Sequence, residues 1–277
     1  MYDLSEKNII RLKELSKRIR LSGLGMALAS GSNGSHLGGS FSCVEILSVL
    51  YGEVLRYWKN DPLNNNRDRF LPSKNHCVLA HLPALAEMGF IQKEELQQFQ
   101  MDGGRLTGYP MRPEIGLEYS GGSLGMALSV GIGMALNFRQ QGNSAKVYVL
   151  LGDGELDEGS CWEAIMSASH YKLDNLIAIV DRNHLSYDGN TEDIMGLNDL
   201  EDKFCSFGWD VVCCDGHNEE ALLHAFSEHV KGKPHVVIAE TVKGKGVSFM
   251  ENKPEWHHHV LNLKQYEEAK MEIMGGN

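Results

Sequence analysis

Two side chains able to offer hard oxygen donors, Asp153 and Asn183, stand thirty residues apart, each just past the end of an apolar run. Residues 146–151 (Lys-Val-Tyr-Val-Leu-Leu) lead into Gly152-Asp153-Gly154, and residues 176–181 lead into Arg182-Asn183. A carboxylate oxygen and an amide oxygen suit Mg²⁺ or Ca²⁺, and two protein ligands leave coordination positions for phosphate oxygens. The glycines flanking Asp153 let backbone N–H groups come close to a phosphate, and a helix starting just after them favours negative charge at its N-terminus. A lone Gly-Asp-Gly is most often a turn. The information lies in its combination with the second apolar run and its amide.

For these two oxygens to meet, the runs that carry them must be neighbouring parallel strands. The segment reads as a strand at 146–151, a helix from about 158 to 170 and a strand at 176–181, a βαβ unit whose continuously apolar strands are covered on both faces. A helix at 197–207, a strand at 210–214, a helix at 219–231 and a strand at 235–240 repeat the alternation. The pattern predicts an α/β fold, a doubly wound, mainly parallel sheet with helices on both faces and its ligand at the carboxyl ends of the strands. Upstream, residues 4–31 read as a helix, 31–42 as a Gly/Ser/His loop, and the following residues as a helix to about Tyr57. A polar segment, 59–69, leads through Phe70-Leu71-Pro72 to a His-bearing turn and a helix at 79–88, then a short helix at 94–99. Residues 103–125 show no regular period and form a long irregular segment of the kind that usually carries function, before a buried helix at 125–140. No repeat or linker divides the chain, so residues 1–277 are expected to form a single domain.

With 42% hydrophobic and 23% charged residues, the composition is that of a packed globular protein. A formal charge of −11 disfavours a nucleic-acid partner, so anionic ligands must be met by local positive groups. Residues 1–20 alternate charged and apolar side chains without a signal-peptide core, and no apolar run is long enough to span a membrane. A cytoplasmic location is expected. The six cysteines contain no C-x-x-C pair and read as reduced structural residues.

The run G-D-G-E-L-D-E-G with the later D-R-N resembles the thiamine diphosphate motif of the transketolase family. The likeness extends over almost the whole chain, through G-S-H-L-G-G-S at 34–40, R-D-R-F-x-x-S-K-x-H at 67–76, S-G-G-S-L-G at 120–125 and T-V-K-G-K-G-V-S-F-M-E-N with W-H at 241–257. The resemblance implies thiamine diphosphate as cofactor, with Mg²⁺ (or Ca²⁺) held by Asp153, Asn183 and the backbone carbonyl of Leu185. It places the Gly154 N–H at the diphosphate and assigns Gly122, Leu124, Gly152, Glu155, Asp181 and Lys243 to cofactor binding. Of twelve histidines, His36, His76 and His257 fall in family motifs and are implied as the catalytic set. His76 and His257 would contact the diphosphate, while His36 and His257 would move protons on the sugar, work for which imidazole is suited near neutral pH. Glu158 would lie at a subunit contact.

Two positions depart from the family pattern: Tyr109 stands where transketolases carry the histidine of G-H-P, and Met126 where they commonly carry glutamine. Tyr109 puts the standard donor in question. In the family, the glutamate that activates the cofactor lies on a pyrimidine-binding domain that this chain does not contain. The resemblance therefore implies the N-terminal subunit of a split transketolase, paired with a C-terminal subunit that carries the pyrimidine-binding domain and the catalytic glutamate, in a heterotetramer of two copies each. Together they would transfer a two-carbon ketol unit from a ketose donor, phosphorylated or otherwise modified, to an aldose acceptor. Two other readings stay open at this point. One is a subunit of a decarboxylating synthase of the deoxyxylulose-phosphate type using pyruvate, and the other is a non-catalytic cofactor-binding paralogue.

Overall fold

A computed structural model of the chain describes residues 2–275, so that Met1, Gly276 and Asn277, part of the expected single-domain span, lie outside the described residues. Its centre is a sheet of β1 (Arg69–Pro72), β2 (Val147–Gly152), β3 (Leu176–Arg182), β4 (Asp210–Asp215) and β5 (His235–Glu240), ordered β1-β2-β3-β5-β4. Every neighbouring pair is parallel. Alternate strand residues point to opposite faces, and both faces of the central strands β2, β3 and β5 are covered, which is why those runs are largely apolar, whereas the edge strand β4 is only partly buried. Val147, Val149 and Leu151 of β2 join one apolar cluster, and Tyr148 and Leu150 join the other.

Among the described residues ten α-helices surround the sheet: α1 (Glu6–Ala29), α2 (Leu37–Phe41), α3 (Val44–Val49), α4 (Val78–Glu87), α5 (Ala127–Gln140), α6 (Gly159–His170), α7 (Thr191–Ile194), α8 (Leu200–Ser206), α9 (Glu219–Ser227) and α10 (Leu263–Gly275). The cluster on one face draws on α1 to α4, α9 and α10, and the cluster on the other draws on α5, α6 and α8. This is the doubly wound arrangement, with a wholly parallel sheet. The start of α1 is set by Ser5, whose hydroxyl accepts a hydrogen bond from the Asn8 N–H at 3.3 Å. Its Leu12, Leu15, Ile19 and Leu24 then recur at helical spacing and are buried.

Several boundaries differ from the sequence reading. The 31–42 loop contains α2, and β1 forms from Arg-Phe-Leu-Pro, whose terminal proline is tolerated because the strand is short and lies at the sheet edge. The helix expected at 219–231 ends at Ser227, and carboxylates outside it take up later backbone donors: Val230 N–H donates to Asp210 at the start of β4 at 3.0 Å, and Gly232 N–H to Asp174 at 2.9 Å. The helix expected from 197 starts at Leu200, capped by the Asp199 carboxylate. The short helix expected at 94–99 is a 3₁₀ turn, Lys93–Gln98. Helix α5 buries one stripe, including Leu128, Ile132 and Phe138, and leaves Val130 exposed, as a helix laid on a sheet must. Both α7 and α10 escaped the sequence reading, the first being a single turn and the second burying only Ala269 and Ile273. No helix among the described residues is long and apolar enough to cross a membrane.

Candidate active site

The register between β2 and β3 sets Gly152 beside Asp181, so the turns that follow open into one crevice at the carboxyl ends of the strands. Asp153 is 2% exposed, and its two carboxylate oxygens accept from the Gly154 N–H at 2.8 Å and the His184 N–H at 2.6 Å, which ties the two turns together. Burial raises the Asp153 pKa, and the neighbouring Asp181 adds to that, against the two backbone bonds and Arg182. The Asn183 amide oxygen accepts from the Leu185 N–H at 3.2 Å. The Lys243 ammonium donates to the Leu185 and Ser186 carbonyls at 3.0 and 2.8 Å and to His257 Nδ1 at 2.9 Å. Burial, and after it repulsion from Lys74, brings the Lys243 pKa down to about 8.

These groups line a cavity of about 350 Å³ together with His36, His76, Tyr109, Gly122, Leu124, Gly152, Gly154 and Glu155. Three distant parts of the chain deliver the histidines: His36 caps α2, His76 sits in the 3₁₀ turn Asn75–Cys77 after β1, and His257 follows the turn Pro254–Trp256. The ring centroids lie 5.5 Å apart for His36 and His76, 5.4 Å for His36 and His257, and 5.2 Å for His76 and His257. Since His257 Nδ1 accepts from an ammonium, its proton resides on Nε2 when neutral. Burial first, then nearby positive groups, lowers the His36 pKa to about 4 and the His257 pKa to about 3, and holds His76 well below its usual range. All three are neutral imidazoles at neutral pH, each able to donate through one nitrogen and accept through the other.

Two of the residues singled out in the sequence, Asp181 for cofactor binding and Glu158 for a subunit contact, do not line the cavity. Asp181 is fully buried beneath the cavity floor, its carboxylate engaged by the Lys74 ammonium, by Thr241 and by Ser42 at 2.6 Å, so it supports the site instead of lining it. Glu158 is exposed at the N-cap of α6, outside the cavity. Glu155 does line the cavity, yet its carboxylate is occupied as a bracket: it accepts from Gly125 N–H at 2.7 Å, Gly152 N–H at 3.0 Å and the Ser73 hydroxyl. That bracket pins the irregular 103–125 segment to the β2 turn. At its end Gly125 adopts φ +79°, and a Cβ there would lie 2.6 Å from Ser160 Oγ, so only glycine serves.

Lys74, Asp157, Tyr187 and Asp188 also line the cavity and were not singled out from the sequence. The signal for Lys74 was present, since it lies two residues before His76 in the same motif. Other members of that motif hold the frame. Asp68 accepts from the Arg56 and Lys146 N–H groups at 2.9 and 2.8 Å, while Arg67 and Arg69 pair with Glu118 of the irregular segment. Among the described residues no cluster of three or more His, Cys, Asp or Glu side chains is placed to hold a metal, and no disulfide forms among the cysteines.

Comparison with known proteins agrees with this fold. Residues 13–275 match the family described as transketolase, thiamine diphosphate binding domain. An apulose-4-phosphate transketolase subunit of Phocaeicola vulgatus is 41% identical over 271 residues, covering 97% of this chain and 92% of that protein. A 6-deoxy-6-sulfo-D-fructose transketolase subunit of Clostridium sp. is 38% identical over 241 residues, covering 86% and 88%. The solved transketolase from Leishmania mexicana superimposes with a TM-score of 0.86 at 28% identity, covering 95% of this chain but only 41% of its own. With a family match along nearly its full length and a cavity at the strand ends where the fold binds its ligand, the chain belongs to the transketolase family, in the part that forms its thiamine diphosphate binding domain.

Proposed function

We propose that this chain is the cofactor-binding subunit of a two-subunit transketolase, and that it holds the diphosphate of thiamine diphosphate through Mg²⁺ (or Ca²⁺). The observation that carries the reading is the convergence of Asp153, Asn183 and the Leu185 carbonyl with His36, His76 and His257 around one cavity. One carboxylate, one amide and one main-chain carbonyl make a hard donor set that suits Mg²⁺, whose remaining positions go to phosphate oxygens. The Lys243 ammonium against the Leu185 carbonyl supports this fit, because it marks a spot that draws positive charge. When bound, thiamine diphosphate supplies the carbon nucleophile for moving a two-carbon ketol unit from a ketose to an aldose.

The side chains then divide the work. His257, protonated on Nε2, and His76 would donate to diphosphate oxygens, with Lys243, Gly152, Gly122 and Leu124 completing the cradle, and the Gly154 N–H would join it by leaving the Asp153 carboxylate once the metal takes that oxygen. His36, neutral at working pH, would exchange protons with the hydroxyls of the bound sugar, and His257 could do so only by releasing the diphosphate or Lys243 from one of its nitrogens. Glu155 and Asp181 hold the walls and floor. Glu158 reaches a neighbouring protomer. The partner is a chain carrying the pyrimidine-binding domain and the activating glutamate, assembled as two copies of each.

Tyr109 sets the donor. A phenol donates one hydrogen bond but takes up no proton near neutral pH, so the subsite differs from one built around imidazole. Together with relatives named for apulose 4-phosphate and 6-deoxy-6-sulfofructose, this supports a modified ketose over xylulose 5-phosphate. The test is to purify the chain with its partner and to supply thiamine diphosphate, Mg²⁺, an aldose acceptor and each of these three ketoses in turn. Ketol transfer is expected, with xylulose 5-phosphate not the best donor, and Asp153→Ala should weaken cofactor retention by roughly a hundredfold or more. CO₂ release from pyruvate without ketol transfer, or equal cofactor affinity with and without divalent metal, would overturn the proposal.

A further inference from the structure

His36 caps α2 by position, but its ring makes no capping hydrogen bond, so its orientation is set by what packs against it. Four rings do so. Tyr109, His76 and His257 line the cavity at centroid distances of 6.5, 5.5 and 5.4 Å, and His258 stands nearest, at 4.7 Å, edge to face at 71°. His258 is exposed and does not line the cavity; it covers His36 from outside.

The backbone around His258 is fixed with unusual care for a surface residue. Ser35 and His259, the next neighbours of the two rings, exchange both N–H to carbonyl bonds, at 2.9 and 3.0 Å. The ring of His259 packs on Trp256 at 4.2 Å, which anchors the far side of the pair. Gly34 passes under the imidazole of His258: it adopts φ +66°, and a Cβ there would lie 2.9 Å from His258 Cε1 and 3.1 Å from the His259 carbonyl oxygen. Both the conformation and the space call for glycine, and the result is a surface imidazole held against a cavity imidazole.

We infer that His258 is a positioning residue for His36, holding that ring in the one rotamer that turns its nitrogens toward the substrate. This rests on the proton-moving role proposed for His36. Without the outer ring, His36 gains access to the three staggered wells at χ1 and the two orientations at χ2, so its productive fraction falls by about three- to sixfold. An aromatic edge, not a titrating nitrogen, is what the geometry requires.

The experiment compares wild type, His258→Ala and His258→Phe, each assembled with the partner chain, thiamine diphosphate and Mg²⁺. His258→Ala is expected to lower kcat by about three- to sixfold with KM for the ketose changed less than about twofold, and His258→Phe to restore kcat to within about twofold. Cofactor affinity, read from binding titrations, should be unchanged in both. In the histidine-labelled chain alone, NMR should show the ring-current shift of the His36 signals lost in the alanine variant and retained with phenylalanine. Wild-type kcat in His258→Ala, or a phenylalanine variant as impaired as the alanine one, overturns the positioning role while leaving the functional reading in place. No ketol transfer by the wild-type pair overturns the functional reading and this role with it, whatever the ring signals show.

Discussion

Lys74 and Asp181 form an ion pair with both partners almost wholly removed from solvent, at 1% and 0% side-chain exposure. Burial pushes each toward its neutral form. The partner's charge, with the hydroxyls of Ser42 and Thr241 on the carboxylate, outweighs this, so the Asp181 pKa is lowered and that of Lys74 raised. A pair of this kind adds little net stability against an apolar replacement, but breaking it strands a charge. Asp181→Ala should therefore cost about 3–5 kcal/mol in urea denaturation, and the double replacement Lys74→Met with Asp181→Leu should recover most of that loss. A single-variant loss below about 1 kcal/mol would contradict a charged, buried pair. The family resemblance assigns Asp181 to cofactor binding, while its carboxylate is engaged by Lys74, Ser42 and Thr241. Only the packing of Lys74 beneath it shows where its charge is spent.

Helix α4 carries a second buried polar group. His81 is 1% exposed, its Nε2 is 2.7 Å from the Tyr51 hydroxyl, and the Phe70 ring stands edge-on at 4.9 Å. Burial brings its pKa down to about 3, so the folded chain refuses a proton that the unfolded chain accepts below about pH 6.5. The depressed value means that His81 costs nothing above neutral pH and that stability drains away as pH falls from about 6.5 toward 3. At pH 5.5 the loss from this residue is about 1.4 kcal/mol relative to pH 7.5. His36, His76 and His257 act in the same direction, so the measurement is a difference: His81→Phe should lose about 1.4 kcal/mol less than wild type between those two pH values, read from denaturation midpoints and slopes. Identical pH dependence in the two proteins would mean that His81 is not held neutral. Elements themselves were legible where the apolar period was continuous, as in β2, β3 and β5. Short or amphipathic pieces such as β1, α7 and α10 were not, because four residues or two buried side chains carry too little pattern to separate from a loop.

For the whole molecule, the proposed division of labour predicts that the purified chain does not catalyse ketol transfer by itself. Its cavity gathers the proposed metal ligands, neutral imidazoles and Lys243, which suit holding a diphosphate and handling sugar protons. Its most buried carboxylates are otherwise engaged: Asp153 clamps two turns, Glu155 brackets the 103–125 segment, and Asp181 pairs with Lys74. None of these three is free to activate the aminopyrimidine end of the cofactor. Turnover should appear only when the partner chain is added. Robust turnover from a preparation shown by mass spectrometry to contain this one polypeptide would refute the half-enzyme reading.

The sequence by itself determined the strands β2 to β5, their parallel sense, and the placing of Asp153 and Asn183 at one cavity. Strand periodicity and the chemistry just past each strand end are local properties, and the chain writes them in consecutive residues. It also carried the family likeness, since the motifs keep their order and types along the chain. What it could not specify was which motif residues face the cavity and which hold the frame. Asp68 and Asp181 turn inward to backbone donors and to Lys74, Glu155 becomes a bracket, and His36 is shaped by a ring from a segment more than two hundred residues away. Those outcomes depend on which partners a buried polar side chain finds, and the partners come from distant parts of the chain that meet only when the whole fold has closed.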